Sequence, residues 1–143
     1  MIWLTMVFCG IACFFDLKDR EIPDPLCGVT LLSGLFCAAL GWLSISWQGS
    51  LMGFFVAFLL VIPFALRDGL GGGDLKLLAA LGAWLGPWGA LSVLCWTALS
   101  GMIVALIVAG AGRKDFAYAP AITLGTLIYL VFPQGLAWVA GWG

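Results

Sequence analysis

The chain alternates between long apolar runs and short polar breaks, and the lengths of those runs are the first constraint on its fold. A helix that crosses a bilayer needs about 20 mostly apolar residues. The pattern predicts six helices, from about Met1 to Phe15, Leu26 to Leu43, Leu51 to Leu66, Leu75 to Leu85, Trp88 to Ala111 and Ala119 to Ala140. The first has the length of a signal peptide but lacks its basic start and small-residue cleavage site. Ser44 to Ser50 read as a short polar turn, and Pro63 and Pro133 are expected to bend their helices. The stretch from Leu77 to Gly112 is too long for one helix and slightly short for two full spans. Gly86-Pro87 divides it, because proline cannot continue the hydrogen-bond ladder. The resulting fourth helix covers roughly half the hydrocarbon core at about 1.5 Å per residue. Such a helix must sit among protein neighbours or start at an indented, wetted site.

Composition turns this pattern into a fold class. Of 143 residues, 64% are hydrophobic and 9% charged, and the mean hydropathy is +1.16. Soluble domains carry about 25% charged residues, so lipid must be the solvent for much of this surface. The expectation is an all-α polytopic membrane protein with about six transmembrane helices, forming a single domain over residues 1–143. A net charge of −1 offers nothing to a nucleic acid, and oligomeric state is not encoded in this pattern.

The charges also predict an orientation. If the N-terminus lies outside, three loops face the cytoplasm: Asp16–Pro25, Arg67–Lys76 and Gly112–Tyr118. Those loops hold all six basic and all seven acidic residues. The bias of Lys18, Arg20, Arg67, Lys76, Arg113 and Lys114 satisfies the positive-inside rule. Trp42, Trp47, Trp88, Trp138 and Trp142 fall near the opposite face, as an interfacial belt would.

The candidate chemistry is narrow. The chain contains no histidine, which removes Ser-His-Asp and Cys-His hydrolysis and HExxH zinc chemistry. The five cysteines, Cys9, Cys13, Cys27, Cys37 and Cys95, form no CxxC and read as small packing residues; no metal or cofactor is expected. Two carboxylates remain conspicuous at membrane-edge positions on one side. Asp16 closes the first apolar run, and Asp74 closes the glycine-rich segment Gly71-Gly72-Gly73-Asp74. Glycine before Asp74 permits close backbone approach, although an aspartate there also serves as a helix N-cap. Asp16 at a helix C-terminus would face the negative end of the dipole. Two aspartates sharing a site do not both ionise easily, so one keeps a proton. The ionised partner can activate water while the protonated one polarises a carbonyl. The helix ends, taken alone, favour the proton on Asp16. The remaining charges, including Asp19, Glu21, Asp24 and Asp68, read as solvated loop groups. Lys76 either faces the site or snorkels to the interface.

These residues resemble a known family. Gly71-Gly72-Gly73-Asp74 matches the GxGD signature of intramembrane aspartyl proteases, and Gly69 to Gly86 closely resembles the second catalytic region of type IV prepilin peptidases. Asp16 with Ile22-Pro23 is similar to their first region, and Tyr118-Ala119-Pro120 to a later Phe-Gly-Pro-like element, with alanine replacing the usual glycine. The resemblance implies a catalytic pair of Asp16 and Asp74, with Gly71, Gly73, Lys76, Pro23 and Pro120 shaping the site or binding substrate. It implies cleavage of the short basic leader of prepilins or pseudopilins at the cytoplasmic face of a bacterial inner membrane. The acidic loop residues would then attract that leader. Larger members carry an inserted CxxC domain and methylate the product. The Asp16–Pro25 loop is too short for that domain, so methylation is not expected. Two other classes fit the composition: a proton-coupled transporter, in which both aspartates relay protons, and a non-catalytic assembly subunit. Against the first, both aspartates sit at one face and no mid-helix carboxylate continues a path; against the second stands the glycine-rich loop directly before Asp74.

Overall fold

The computed structural model describes residues 3–19, 22–67, 71–110 and 119–132, and these form helices joined by short connections, with no strand among them. The elements are α1 (Leu4–Asp19), α2 (Asp24–Ala39), α3 (Trp47–Ala65), α4 (Gly72–Gly110) and α5 (Ala119–Val131). The all-helical expectation holds. Two stretches, Trp47–Ala65 and Gly72–Val108, are long and apolar enough to cross a membrane.

Several boundaries differ from the sequence pattern, each for a local reason. α1 does not stop at Phe15 but continues to Asp19, because nothing in Asp16-Leu17-Lys18-Asp19 breaks a helix. α2 starts earlier, at Asp24. Pro23 occupies its N-cap in an extended conformation and Pro25 sits in its first turn, where a missing N–H costs nothing. α3 absorbs part of the supposed polar turn: the Ser46 side chain accepts from Gly49 N–H at 3.2 Å and caps the helix. Pro63 lies inside α3, as expected. The predicted break at Gly86-Pro87 is present, since Gly86 leaves helical geometry with φ 72° and ψ −179°. That positive φ suits glycine and turns the chain between residues 72–85 and 87–110. The predicted end of the last helix, with Pro133, Trp138 and Trp142, lies outside the described residues.

The first half of α4 is the centre of the bundle. Every residue from 77 to 86 is buried, with α2, α3 and α5 packed against α4 and α1 packed on α5. The half-length helix is therefore enclosed by protein, as its length demands. Outward faces carry Leu32, Phe36, Phe55, Leu59, Leu106 and Ile107, all largely exposed.

Small residues and cross-helix hydrogen bonds hold α4 in place, the means available where helix association gains little from the hydrophobic effect. Gly53 of α3 and Gly82 of α4 meet backbone to backbone, with no room for a Cβ on either. Ser50 Oγ donates to the Ala83 carbonyl nearby. On the α2 side, the fully buried Trp84 donates from Nε1 to the Thr30 carbonyl at 2.8 Å, and its ring fills the space beside Gly34. On the α5 side, Ser100 Oγ donates to the Ala121 carbonyl at 3.0 Å. Cys9 Sγ and Thr126 Oγ1, 3.8 Å apart, join α1 to α5.

Gly53→Val is expected to lower stability in detergent by about 1–3 kcal/mol, through overpacking against Gly82. Gly10→Ala, where a Cβ meets nothing within 4 Å, should leave stability unchanged or raise it by up to about 1 kcal/mol. Thermal unfolding of the two variants beside the parent checks the contrast.

Candidate active site

Asp16 and Asp74, which stand 58 positions apart (74 − 16), are the two buried carboxylates among the described residues, at 6% and 7% exposure. Each lies near the end of its helix, and the Asp16 carboxylate interacts electrostatically with that of Asp74. The fold thus brings the two groups close enough for their charges to interact, while Asp24 remains exposed.

Asp74 is the third residue of α4 and not its N-cap. Gly71 takes the cap position, its carbonyl accepting from Leu75 N–H at 3.2 Å. The Asp74 carboxylate reaches back to the Gly71 N–H. This is the return half of a capping box, with aspartate in the place usually held by glutamate. Gly71 is tight against this carboxylate: a Cβ there would stand 3.2 Å from Asp74 Oδ2. The other oxygen, Oδ1, is buried and has no hydrogen-bond partner. Leaving a buried carboxylate oxygen unpaired is costly.

Asp16 sits inside α1, one turn before its end, and its environment differs from the expectation of a bare helix C-terminus. Asp16 Oδ2 accepts the backbone N–H of Ala119 at 2.9 Å. Ala119 opens α5, so Asp16 caps that helix from another element and faces its positive end. The dipole argument for placing the proton on Asp16 therefore does not stand, because two helix termini of opposite sign meet at this carboxylate. Ala119 is itself fully buried. Pro120 follows in the first turn of α5, where its fixed φ suits helix entry. Tyr118 lies outside the described residues.

The Ile22-Pro23 segment closes over the glycine turn. Ile22 is buried, and a Cβ on Gly73 would stand 2.9 Å from Ile22 Cβ and 3.3 Å from Ile22 N. Cys27 Sγ lies 3.8 Å from the Gly73 carbonyl. Glycine at 73 is thus required by the approach of the protein's own chain. Pro23 does not touch the carboxylates through any described bond; it starts α2 and so sets where Ile22 lies. Lys76 neither points at the pair nor stands alone, since its Nζ binds Asp24 Oδ1 at 2.6 Å. Asp24 is correspondingly not the unpaired loop charge its sequence position suggests, while Glu21 and Asp68 lie outside the described residues. Asp24 and Lys76 stand at one edge of an open groove of about 290 Å³, lined otherwise by Leu31, Phe54, Phe58 and Ala79 among others.

Sequence reasoning missed Cys27 as a contact of the glycine turn and the backbone of Ala119 as a partner of Asp16. Neither has a local signal. Cys27 looks like any small apolar residue, and a backbone donor has no side chain to betray it. Among the described residues no cluster of His, Cys, Asp and Glu suits a metal ion.

Known proteins resemble this chain in the same regions. The family model described as the type IV leader peptidase family matches residues 3–108. Three curated proteins similar to the chain are each named prepilin leader peptidase/N-methyltransferase. That of Pectobacterium carotovorum subsp. carotovorum is 34% identical, over 90% of this chain and 50% of its own length. That of Neisseria gonorrhoeae is 34% identical, over 81% and 43%. That of Aeromonas hydrophila is 41% identical, over 63% and 32%. The chain spans about half the length of the curated relatives it matches, or less. No solved structure matches it.

Adjacent glycines should respond oppositely to one methyl group. Gly73→Ala is expected to lower stability by about 1–3 kcal/mol by displacing Ile22. Gly72→Ala, with open space around its Cβ, should be neutral or slightly stabilising. Equal melting shifts for the two would contradict the packing described.

Proposed function

Because the chain belongs to the type IV leader peptidase family, we propose that it is an aspartyl endopeptidase in which Asp16 and Asp74 activate one water against a peptide bond. The observation that carries this reading is the burial of two carboxylates at one site, one with an oxygen left unpaired. Of the two activities named for the relatives, this pair accounts for peptide cleavage.

In this reading one carboxylate of the pair is ionised and the other carries a proton. The ionised group takes a proton from water as its oxygen bonds to the carbonyl carbon. The protonated group hydrogen-bonds the carbonyl oxygen as negative charge develops there. When the tetrahedral intermediate collapses, the carbon–nitrogen bond breaks and a proton passes to the departing nitrogen. The backbone N–H groups of Gly71 and Ala119 hold the two side chains in place, which limits the reorganisation needed in the transition state.

The substrate in this reading is a prepilin or pseudopilin, cut between a short basic leader and its hydrophobic helix. The charge distribution supports a bacterial inner membrane location, with six crossings and the site at the cytoplasmic edge. A substrate whose leader lies in the cytoplasm and whose helix lies in lipid would present its scissile bond at that depth.

Purified protein reconstituted with a prepilin bearing a basic leader should release that leader. Asp16→Asn and Asp74→Asn, which keep side-chain size and remove the acid, should each lower the rate by at least about a hundredfold. Full cleavage by either variant would rule out the pair, and ion flux without cleavage would favour a transporter.

A further inference from the structure

Lys76 is the fifth residue of α4, just past the first turn that carries Asp74. It is a half-exposed side chain, 51% accessible, with bulk water available to it. It nevertheless extends to Asp24, the first residue of α2, at 2.6 Å. The same two segments meet twice more beneath this pair, at Ile22 against Gly73 and at Cys27 against the Gly73 carbonyl. One surface ion pair and two less exposed contacts thus join the start of α2 to the turn that carries Asp74. Pro23 stiffens the first segment, whereas Gly71, Gly72 and Gly73 leave the second with few side-chain restraints of its own. A turn so rich in glycine gains its definition from what is fastened to it.

We propose that Asp24 and Lys76 are positioning residues, an ionic latch that holds the glycine turn against the Ile22-Pro23 segment and so fixes Asp74 relative to Asp16. The inference rests on the reading of the two aspartates as a catalytic pair. It gives Lys76 a role through its partner and not through the substrate. The latch acts on the geometry of the pair, so its loss slows turnover and leaves substrate binding nearly unchanged. Exposed ion pairs contribute little individually, which bounds the effect: kcat should fall about two- to fivefold. High salt should erode the latch in the parent protein and leave the unlatched variants unaffected.

The test is a double-mutant cycle on the full chain in detergent or liposomes, with Asp24→Asn, Lys76→Met and the two combined. Prepilin cleavage gives kcat and KM, and hydrogen exchange of residues 22–27 gives a readout independent of activity. Each single variant should lower kcat by about two- to fivefold with KM within about twofold, and the combined variant should match the singles rather than multiply them. Exchange in residues 22–27 should rise equally in all three, and Lys76→Arg should restore both readouts. The latch is overturned by multiplicative losses, by exchange that does not change, or by a KM rise that varies with charges placed in the substrate. The last result would make Lys76 or Asp24 a substrate contact. A parent protein that releases no leader contradicts the proposed activity instead, and the exchange data then judge the ion pair alone.

Discussion

The structure depends on enclosing a helix too short to face lipid at both ends. Residues 72–85 rise about 21 Å at 1.5 Å per residue, well short of a hydrocarbon core of about 30 Å. A helix of that length in a bilayer needs protein or water around its ends, because lipid supplies no partner for a free N–H. The bundle meets this need by wrapping α2, α3 and α5 around α4. Gly53 on Gly82, Trp84 on Thr30 and Ser50 on Ala83 are the contacts by which it does so. With little apolar driving force between helices in lipid, close backbone approach and satisfied polar groups carry the specificity.

That enclosure produces the site. The start of α4, exposed at Gly71 and Gly72 and buried at Asp74, is where an aspartate can serve its own helix and remain partly unsatisfied. Asp74 spends one oxygen on the Gly71 N–H, leaving Oδ1 without a partner. Asp16 likewise completes a helix terminus, that of α5, through Ala119. Each carboxylate is thus anchored by backbone, a rigid support that does not depend on another side chain's rotamer. The same bonds that keep the helix ends from being orphaned hold two acidic groups at one place. The family match spans the first four helices, from residue 3 to 108, and so includes both aspartates but not Ala119.

Much of this was legible in the residue pattern. The apolar run lengths and the missing polar surface identify a helical membrane fold, because hydropathy averages over many residues and tolerates local error. Gly86-Pro87 marks its own kink, since neither residue favours a helix interior and the pair coincides with a run too long for one span. Asp16 and Asp74 stand out because a carboxylate beside an apolar run needs a reason to be there. Helix ends were less legible. α1 passes through Asp16 and α4 starts at Gly72, shifts of about a turn that hydropathy cannot register. Those few residues decide whether Asp74 caps its helix or reaches back from the third position, and whether Asp16 meets a helix dipole of one sign or two.

The sequence by itself determined the solvent the protein must live in, the number of apolar segments, the break at Gly86 and the two acids that stand out beside apolar runs. These follow from composition, run length and the fixed backbone limits of glycine and proline, which act locally. Only the tertiary structure decided which atoms those acids meet. That Asp16 faces the Ala119 N–H, that Ile22 rests on Gly73, and that Lys76 turns to Asp24 are facts about segments 46 or more residues apart. No periodicity encodes such meetings, because they arise from how the helices pack around one buried segment and not from any one stretch of chain.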